Sequence, residues 1–88
     1  MFTVYILQSE EDFGYYIGYT EDLERRLSEH NGGKTRSLRH RLPMKVVYTE
    51  IYQTKKEAKA REVQIKSYKG GKAFQELIIP GSPRHRRD

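Results

Sequence analysis

The first part of the chain has two stretches rich in β-branched and aromatic residues with a polar stretch between them, which predicts two strands joined by a turn. The stretch FTVYILQ (2–8) is rich in β-branched and aromatic residues, which favours a strand. SEEDFG (9–14) is polar, ends in glycine and is typical of a hairpin connection. YYIGYT (15–20) then predicts a second strand, in which Gly18 indicates a bulge or the close approach of a backbone or ligand.

The hydrophobic period becomes helical after this hairpin. Leu23, Leu27 and His30 follow an i, i+4, i+7 pattern, which predicts a helix with acidic residues in its first turn. Asn-Gly-Gly at 31–33 supplies residues that tolerate a left-handed conformation and should end the helix. The stretch KTRSLRHRLP (34–43) has no period and is rich in Lys and Arg, so we expect a basic loop.

The remaining elements predict a small α+β fold. MKVVYTEIY (44–52) indicates a third strand, and Thr54 with Glu57 forms a capping-box pattern at the start of a second helix. A short third helix is expected at 72–78. The order β-β-α-β-α-α predicts a three-stranded, mainly antiparallel sheet flanked by helices. We expect one domain, 1–79, followed by a basic, disordered tail at 80–88.

Composition narrows the class of protein. The 88 residues include no cysteine, which excludes disulfides and thiolate metal sites. No apolar run reaches the length of a membrane span, so we expect a cytoplasmic protein without a membrane partner. Residues 1–33 carry two Lys/Arg and seven Asp/Glu, whereas 34–88 carry fifteen Lys/Arg and five Asp/Glu. This asymmetry suggests a polyanionic partner, although charge alone is equally consistent with a device for solubility.

Three charged or titratable side chains interrupt the apolar helix faces. Arg26 and His30 share the face of Leu23 and Leu27. A guanidinium at the edge of a core is costly unless it meets an anion. Taken alone, the position of Arg26 is best explained by a side chain that extends to water or pairs with a carboxylate. Glu62 lies in the middle of the apolar stripe of the second helix, either paired, for instance with Arg26, or holding a metal ion. The residues alone favour the ion pair.

Two tyrosines complete this set of residues. Tyr5 and Tyr16 would lie side by side, next to the gap left by Gly18, if the hairpin register brings their faces together. As core residues they would need hydrogen-bond partners for their hydroxyls. As site residues they could position or deprotonate a water. Tyr15 and Tyr19 are expected on the opposite face of the sheet.

These residues together resemble the GIY-YIG nuclease family, in particular its small stand-alone bacterial (UPF0213-like) members. The Tyr-Ile-Gly half of the signature is intact at 16–18, and Thr3-Val4-Tyr5 resembles the other half with its glycine replaced. DLERRLSEHN resembles the Arg-x-x-x-His element of the family, and EAKAREVQIK resembles the helix that supplies its metal-binding glutamate. The similarity extends from residue 2 to about residue 78.

The resemblance implies a metal-dependent endonuclease that hydrolyses DNA, in preference to RNA, in repair or recombination. It assigns one divalent ion, Mg²⁺ or Mn²⁺, to Glu62 and no small-molecule cofactor. Tyr5 or Tyr16 would activate the water, directly or with help from His30, and Arg26 would neutralise the phosphate, with Gly18 in the pocket backbone. The nucleic-acid-binding residues would be Lys34, Arg36, Arg39, Arg41 and Lys45, with help from the 84–87 tail.

Two departures from the family pattern bear on this mechanism. Tyr19 stands where the excision-repair branch has a lysine, and the late asparagine of several members is missing, since Asn31 is the only asparagine. Lys72 or Gln75 would be weak replacements for that late asparagine. The alternatives are a non-catalytic nucleic-acid-binding module with the same fold, or a protein-interaction domain. A protein partner that supplies specificity is a further expectation, because so small a domain has little surface for substrate choice.

Overall fold

The computed structural model describes residues 1–79 and confirms the predicted sheet. Its strands are β1 (Phe2–Ser9), β2 (Tyr15–Thr20) and β3 (Met44–Tyr52). They are antiparallel and lie in the order β2-β1-β3, so that β1 is central. The expected basic tail at 80–88 lies outside the described residues.

The three predicted helices are also present. They are α1 (Leu23–Asn31), α2 (Lys55–Ser67) and α3 (Lys72–Ile78). Asp22 caps α1 by accepting a hydrogen bond from the Arg25 backbone N–H at 3.1 Å. Thr54 and Glu57 form the predicted capping box at the start of α2, which satisfies backbone donors that have no partner within the helix.

The segment predicted as a basic loop contains a 3₁₀ helix at Arg36–Arg41, so the expectation of a simple loop was incomplete. Leu38, in the middle of this helix, is buried. The six residues make only two turns of 3₁₀ helix, which is too short for a repeating apolar pattern. One buried leucine, rather than a period, therefore marks this element.

The two faces of the sheet carry different helices. On one face, α1 packs Leu23 and Leu27 against Tyr5 and Leu7 of β1. On the other face, α2 and α3 cover a larger cluster around Val4 and Ile6. Alternation of side chains along β1 sends successive residues to opposite faces, which explains why both faces are apolar. The members of the larger buried cluster are Val4, Ile6, Tyr48, Ala58, Ile65, Phe74 and Leu77.

The larger cluster contains a buried ion pair that the sequence pattern did not suggest. Glu50 of β3 is 1% exposed, and its carboxylate receives two hydrogen bonds from the Arg61 guanidinium, at 2.8 and 2.9 Å. The hydroxyls of Tyr48 and Tyr52 donate to the same carboxylate. Four donors hold the pKa of Glu50 below its usual range, although burial acts in the opposite direction as the largest single influence.

Within residues 1–79, every helix is too short or too polar to cross a lipid bilayer.

Candidate active site

The centre of the candidate site is Tyr5, which lies on β1 directly across from Gly18 on the edge strand β2. A Cβ atom added to Gly18 would lie 2.6 Å from the Tyr5 hydroxyl oxygen and 2.8 Å from the ring carbon that carries it. The Tyr5 ring therefore fills the space that the glycine leaves. The expected gap beside the two phenols is closed, because Tyr5 is only 1% exposed.

Tyr16 and His30 lie on the same side of the sheet as Tyr5. The ring centroids of Tyr5 and Tyr16 are 6.5 Å apart, and Tyr16 approaches the His30 ring edge to face at 5.2 Å. His30, in the last turn of α1, is fully buried. Its Nε2 atom lies 3.2 Å from the Tyr5 hydroxyl. Two phenols and an imidazole thus form one compact group between the sheet and α1.

Arg26 is at the rim of this group. Its side chain is 39% exposed and forms an ion pair with Glu29 at 3.3 Å, one turn along α1. A hydrogen bond with Tyr5 is the main reason why the pKa of Arg26 is raised. The guanidinium therefore has donors for Tyr5 and Glu29, and its exposed part faces solvent, where it could receive an anion.

Opposing influences act on the Tyr5 phenol. Burial raises its pKa and is the largest effect, and the charges of Tyr16 and Glu62 act in the same direction. The hydrogen bond from Arg26 and its positive charge lower the pKa. The net result is a raised pKa, so the phenol is protonated at neutral pH in the free protein.

Glu62 belongs to α2, which lies on the face of the sheet opposite to α1. Its charge nevertheless acts on Tyr5. Within residues 1–79, Glu62 pairs with Lys66 at 3.5 Å and not with Arg26, so the ion pair considered from the sequence does not form.

The fit of a metal ion at Glu62 follows from its surroundings. Across the described residues 1–79, no three His, Cys, Asp or Glu side chains come together as a metal cage. Glu62 therefore offers a single hard oxygen ligand, with 17% of its side chain exposed. Mg²⁺ keeps several waters and is commonly held by one or two carboxylates together with substrate phosphates. The donor set fits such an open site, since an i, i+4 pair with Lys66 is worth only about 0.3–0.5 kcal/mol.

The basic segment, residues 34–43, contacts the site near its start. Thr35 hydrogen bonds through its hydroxyl to Nδ1 of His30. Arg41, expected to bind nucleic acid, instead pairs with Asp12 of the hairpin turn at 3.2 Å and is largely buried. The other cations expected to bind nucleic acid are exposed, namely Lys34, Arg36, Arg39 and Lys45.

The structure shows where the residues connected with the departures from the family pattern lie. The Asn31 side chain makes two hydrogen bonds with the backbone of Met44, at 2.8 and 3.1 Å, which hold the end of α1 to the start of β3. Its amide is therefore occupied in a structural role. Tyr19 packs on the opposite face of the sheet together with Phe2, as Tyr15 does with Phe74. Gln75 donates to the carbonyl oxygen of Gly70.

Comparison with known proteins identifies the arrangement. The family described as the GIY-YIG catalytic domain matches residues 1–73. The chain belongs to the GIY-YIG family. Tyr5 and Tyr16, the two tyrosines expected from the resemblance to the signature, lie on one face of the sheet through the hairpin register. GIY-YIG proteins are a nuclease family, which supports a nuclease-type function for this chain.

Small GIY-YIG relatives resemble the chain over most of its length. A UPF0213 protein of Streptococcus pneumoniae is 43% identical over 67 residues, which cover 75% of this chain and 67% of the relative. A UPF0213 protein of Staphylococcus saprophyticus is 37% identical over 79 residues, covering 89% and 94%. The solution NMR structure of a UPF0213 protein from Bacillus halodurans matches with a TM-score of 0.57 and 34% identity, covering 97% and 92%. The resemblance to the small UPF0213 group is thereby confirmed.

Sequence reasoning missed Thr35 and the Glu50–Arg61 pair of this GIY-YIG domain. Glu50 had a signal, because it alternates with Tyr48 and Tyr52 on one face of a strand, where an acid needs a buried partner. Thr35 had none, since a threonine in a basic segment without a period has no pattern that connects it to a histidine on the preceding helix.

Proposed function

We propose that this GIY-YIG domain is a divalent-metal-dependent endonuclease that hydrolyses phosphodiester bonds, with DNA favoured over RNA. The observation that carries the proposal is the group that Tyr5, Tyr16 and His30 form between the sheet and α1, with the partly exposed guanidinium of Arg26 at its rim. Perturbed titratable groups of this kind concentrate at functional sites.

Each side chain of the site has a separate role in the proposed hydrolysis. Arg26 binds a non-bridging oxygen of the scissile phosphate through the exposed part of its guanidinium and stabilises the charge that develops there. Tyr5 holds the attacking water, and His30 accepts the proton of the phenol at 3.2 Å. Tyr16 packs against the imidazole and keeps its ring in place.

Glu62 would hold the metal through its carboxylate, after release of Lys66. A divalent ion bound there supplies Lewis-acid stabilisation of charge on the phosphate and the leaving oxygen. We propose Mg²⁺ or Mn²⁺ for this position because hard cations prefer oxygen ligands. Mn²⁺ binding to Glu62→Gln can be measured directly by electron paramagnetic resonance, with Glu76→Gln, an exposed acid on α3, as the matched control.

Cleavage assays test the proposal. Labelled duplex, flap, single-stranded and junction DNA are incubated with Mg²⁺ or Mn²⁺ and the wild-type protein. Arg26→Ala and Glu62→Gln should each reduce cleavage by about 100- to 1000-fold, the usual cost of removing a preorganised stabilising group. Arg25→Ala changes the neighbouring surface arginine on the same helix and should retain wild-type cleavage. Wild-type rates in both site variants would refute the assignment.

A non-catalytic nucleic-acid-binding module is the second candidate, and one observation favours it. Tyr5 and His30 are buried, so a substrate must approach along the rim formed by Arg26. This candidate predicts metal-independent binding of DNA and no cleavage of any substrate in the panel. A role in repair or recombination, a protein partner that supplies specificity and a cytoplasmic location stay predictions.

A further inference from the structure

Thr35 is the described residue whose hydroxyl contacts the candidate active site without a role in the mechanism above. Its oxygen hydrogen bonds to His30 Nδ1, while Nε2 of the same ring meets the Tyr5 hydroxyl. We propose that Thr35 is a positioning residue that holds His30 in the Nδ1–H tautomer and so directs the Nε2 lone pair to the Tyr5 phenol. The catalytic consequence rests on the proposed nuclease function, whereas the tautomer does not.

The hydrogen bonds around Tyr5 show which tautomer of His30 satisfies the site. The guanidinium of the neighbouring Arg26 can only donate, so it cannot accept the Tyr5 phenol proton. The phenol proton then needs an acceptor, because Tyr5 is 1% exposed and a buried hydroxyl proton without a partner is costly. Among the described residues, His30 Nε2 is the ring nitrogen within hydrogen-bond distance. Nε2 must therefore be unprotonated.

The other ring nitrogen follows from the first. Burial, and then the charge of Arg26, lower the pKa of His30, so its neutral form is favoured. A neutral imidazole with a free Nε2 lone pair carries its proton on Nδ1. Nδ1–H then donates to the Thr35 hydroxyl oxygen. In proteins the bond made by one ring nitrogen commonly sets the state of the other.

The backbone around Thr35 keeps its hydroxyl available for this task. Thr35 precedes the 3₁₀ helix as its N-cap residue, yet its side chain makes no capping hydrogen bond. The segment is held to α1 by a hydrogen bond from the Lys34 N–H to the Glu29 carbonyl at 3.0 Å. The hydroxyl therefore has a fixed position relative to His30.

The tautomer sets the direction of proton transfer. When the Tyr5 O–H bond breaks, the proton forms the new Nε2–H bond, and the electron pair stays on the phenolate oxygen beside Arg26. His30 becomes an imidazolium with Nδ1–H on Thr35 and Nε2–H on Tyr5, so both donors are satisfied. With the opposite tautomer, Nε2 carries a proton already and the phenol proton has no acceptor on the ring.

Nuclear magnetic resonance tests the tautomer without reference to catalysis. Long-range ¹H–¹⁵N correlation spectra distinguish protonated from unprotonated ring nitrogens of His30 at a pH above its pKa. The wild-type chain should show Nδ1–H. Thr35→Val keeps the branched shape, removes the acceptor and should shift the population toward Nε2–H, whereas Thr35→Ser should restore Nδ1–H. Ser37→Ala removes an exposed hydroxyl from the 3₁₀ helix and should leave the tautomer unchanged.

Cleavage assays on the same variants test the consequence. Thr35→Val should lower the rate by roughly 10- to 100-fold, the usual effect of removing a group that orients a functional histidine, and Thr35→Ser should rescue it. An Nε2–H tautomer in the wild type, or an unchanged tautomer in Thr35→Val, overturns the proposal. If Thr35→Val does not fold, the wild-type and Thr35→Ser spectra still decide. A wild type with the Nδ1–H tautomer but no cleavage would reject the nuclease function and leave the role of Thr35 in place.

Discussion

Tyr5 and Gly18 face each other across β1 and β2, and the phenol occupies the volume that any side chain at position 18 would need. This pairing connects the two halves of the signature physically. One half supplies the ring, and the other half supplies the only residue type that leaves room for it. The close approach expected from a glycine within a strand is therefore made by a neighbouring side chain.

Gly18→Ala should destabilise the fold through this contact. The new Cβ would lie 2.6 Å from the Tyr5 hydroxyl oxygen, and the buried ring has little freedom to move. Overpacking of this kind costs about 1–3 kcal/mol, measurable as a lower free energy of unfolding in urea. In a Tyr5→Leu background the same change should cost much less. Equal costs in both backgrounds would show that the two residues are not coupled.

The buried Glu50–Arg61 pair predicts a strong effect of removing one partner. Arg61→Met leaves a carboxylate uncompensated at a fully buried site and should cost about 3–5 kcal/mol of stability. Glu50→Gln combined with Arg61→Met should recover part of this loss, because no net charge remains. Lys59→Met, an exposed position on the same helix, is the control. Urea denaturation of the four proteins measures each difference, and an Arg61→Met as stable as wild type would contradict the prediction.

Protonation of His30 should reduce stability in mild acid. Its pKa in the folded protein is lowered by burial and by Arg26, below the value of about 6.5 in an unfolded chain. The folded state therefore binds the proton less well, and the free energy of unfolding falls as the pH drops below about 6.5. Above that pH His30 is neutral in both states, and its protonation no longer lowers the free energy of unfolding.

His30→Gln should flatten this decline, whereas His40→Gln, at an exposed position, should not. Measurements from about pH 7.5 to 5.5 separate the effect of His30 protonation from that of Glu50 protonation, because carboxylates titrate at lower pH. Parallel slopes in wild type and His30→Gln would remove the imidazole as the cause.

The exposed cations of the basic segment predict a salt-dependent affinity for DNA. Each phosphate contact contributes about 0.9 to the slope of log affinity against log salt concentration. Arg36→Ala should weaken binding and lower the slope by about this amount, as measured by fluorescence anisotropy at several salt concentrations. Lys59→Ala is the control, because it removes one positive charge from an exposed position on α2, outside the basic segment.

Arg41→Ala should behave differently from Arg36→Ala. Arg41 pairs with Asp12 and lies against the hairpin turn, so its removal should loosen the link between turn and basic segment. We expect a smaller change in the salt slope than for Arg36→Ala. An identical loss of slope in the two variants would show that Arg41 releases Asp12 and contacts phosphate.

The strands, the three helices and the capping box of α2 followed from the sequence because the signals for them are local. The capping box at Thr54 and the stripe through Leu23, Leu27 and His30 act within one or two turns of a helix. The two faces occupied by Tyr15 and Tyr16 followed from the two-residue period of a strand. The 3₁₀ helix was not predicted because its six residues are too few to show a repeating apolar pattern.

The sequence by itself determined the order of elements, the sheet faces and the family, since periodicity, caps and a short signature act over few residues. Only the tertiary structure decided which side chains meet. Tyr5 and His30 are 25 positions apart, and Glu50 and Arg61 belong to different elements packed face to face. Their hydrogen bonds depend on how helices pack on the sheet. That packing is set by the complementarity of whole faces, and no single stretch of sequence encodes it.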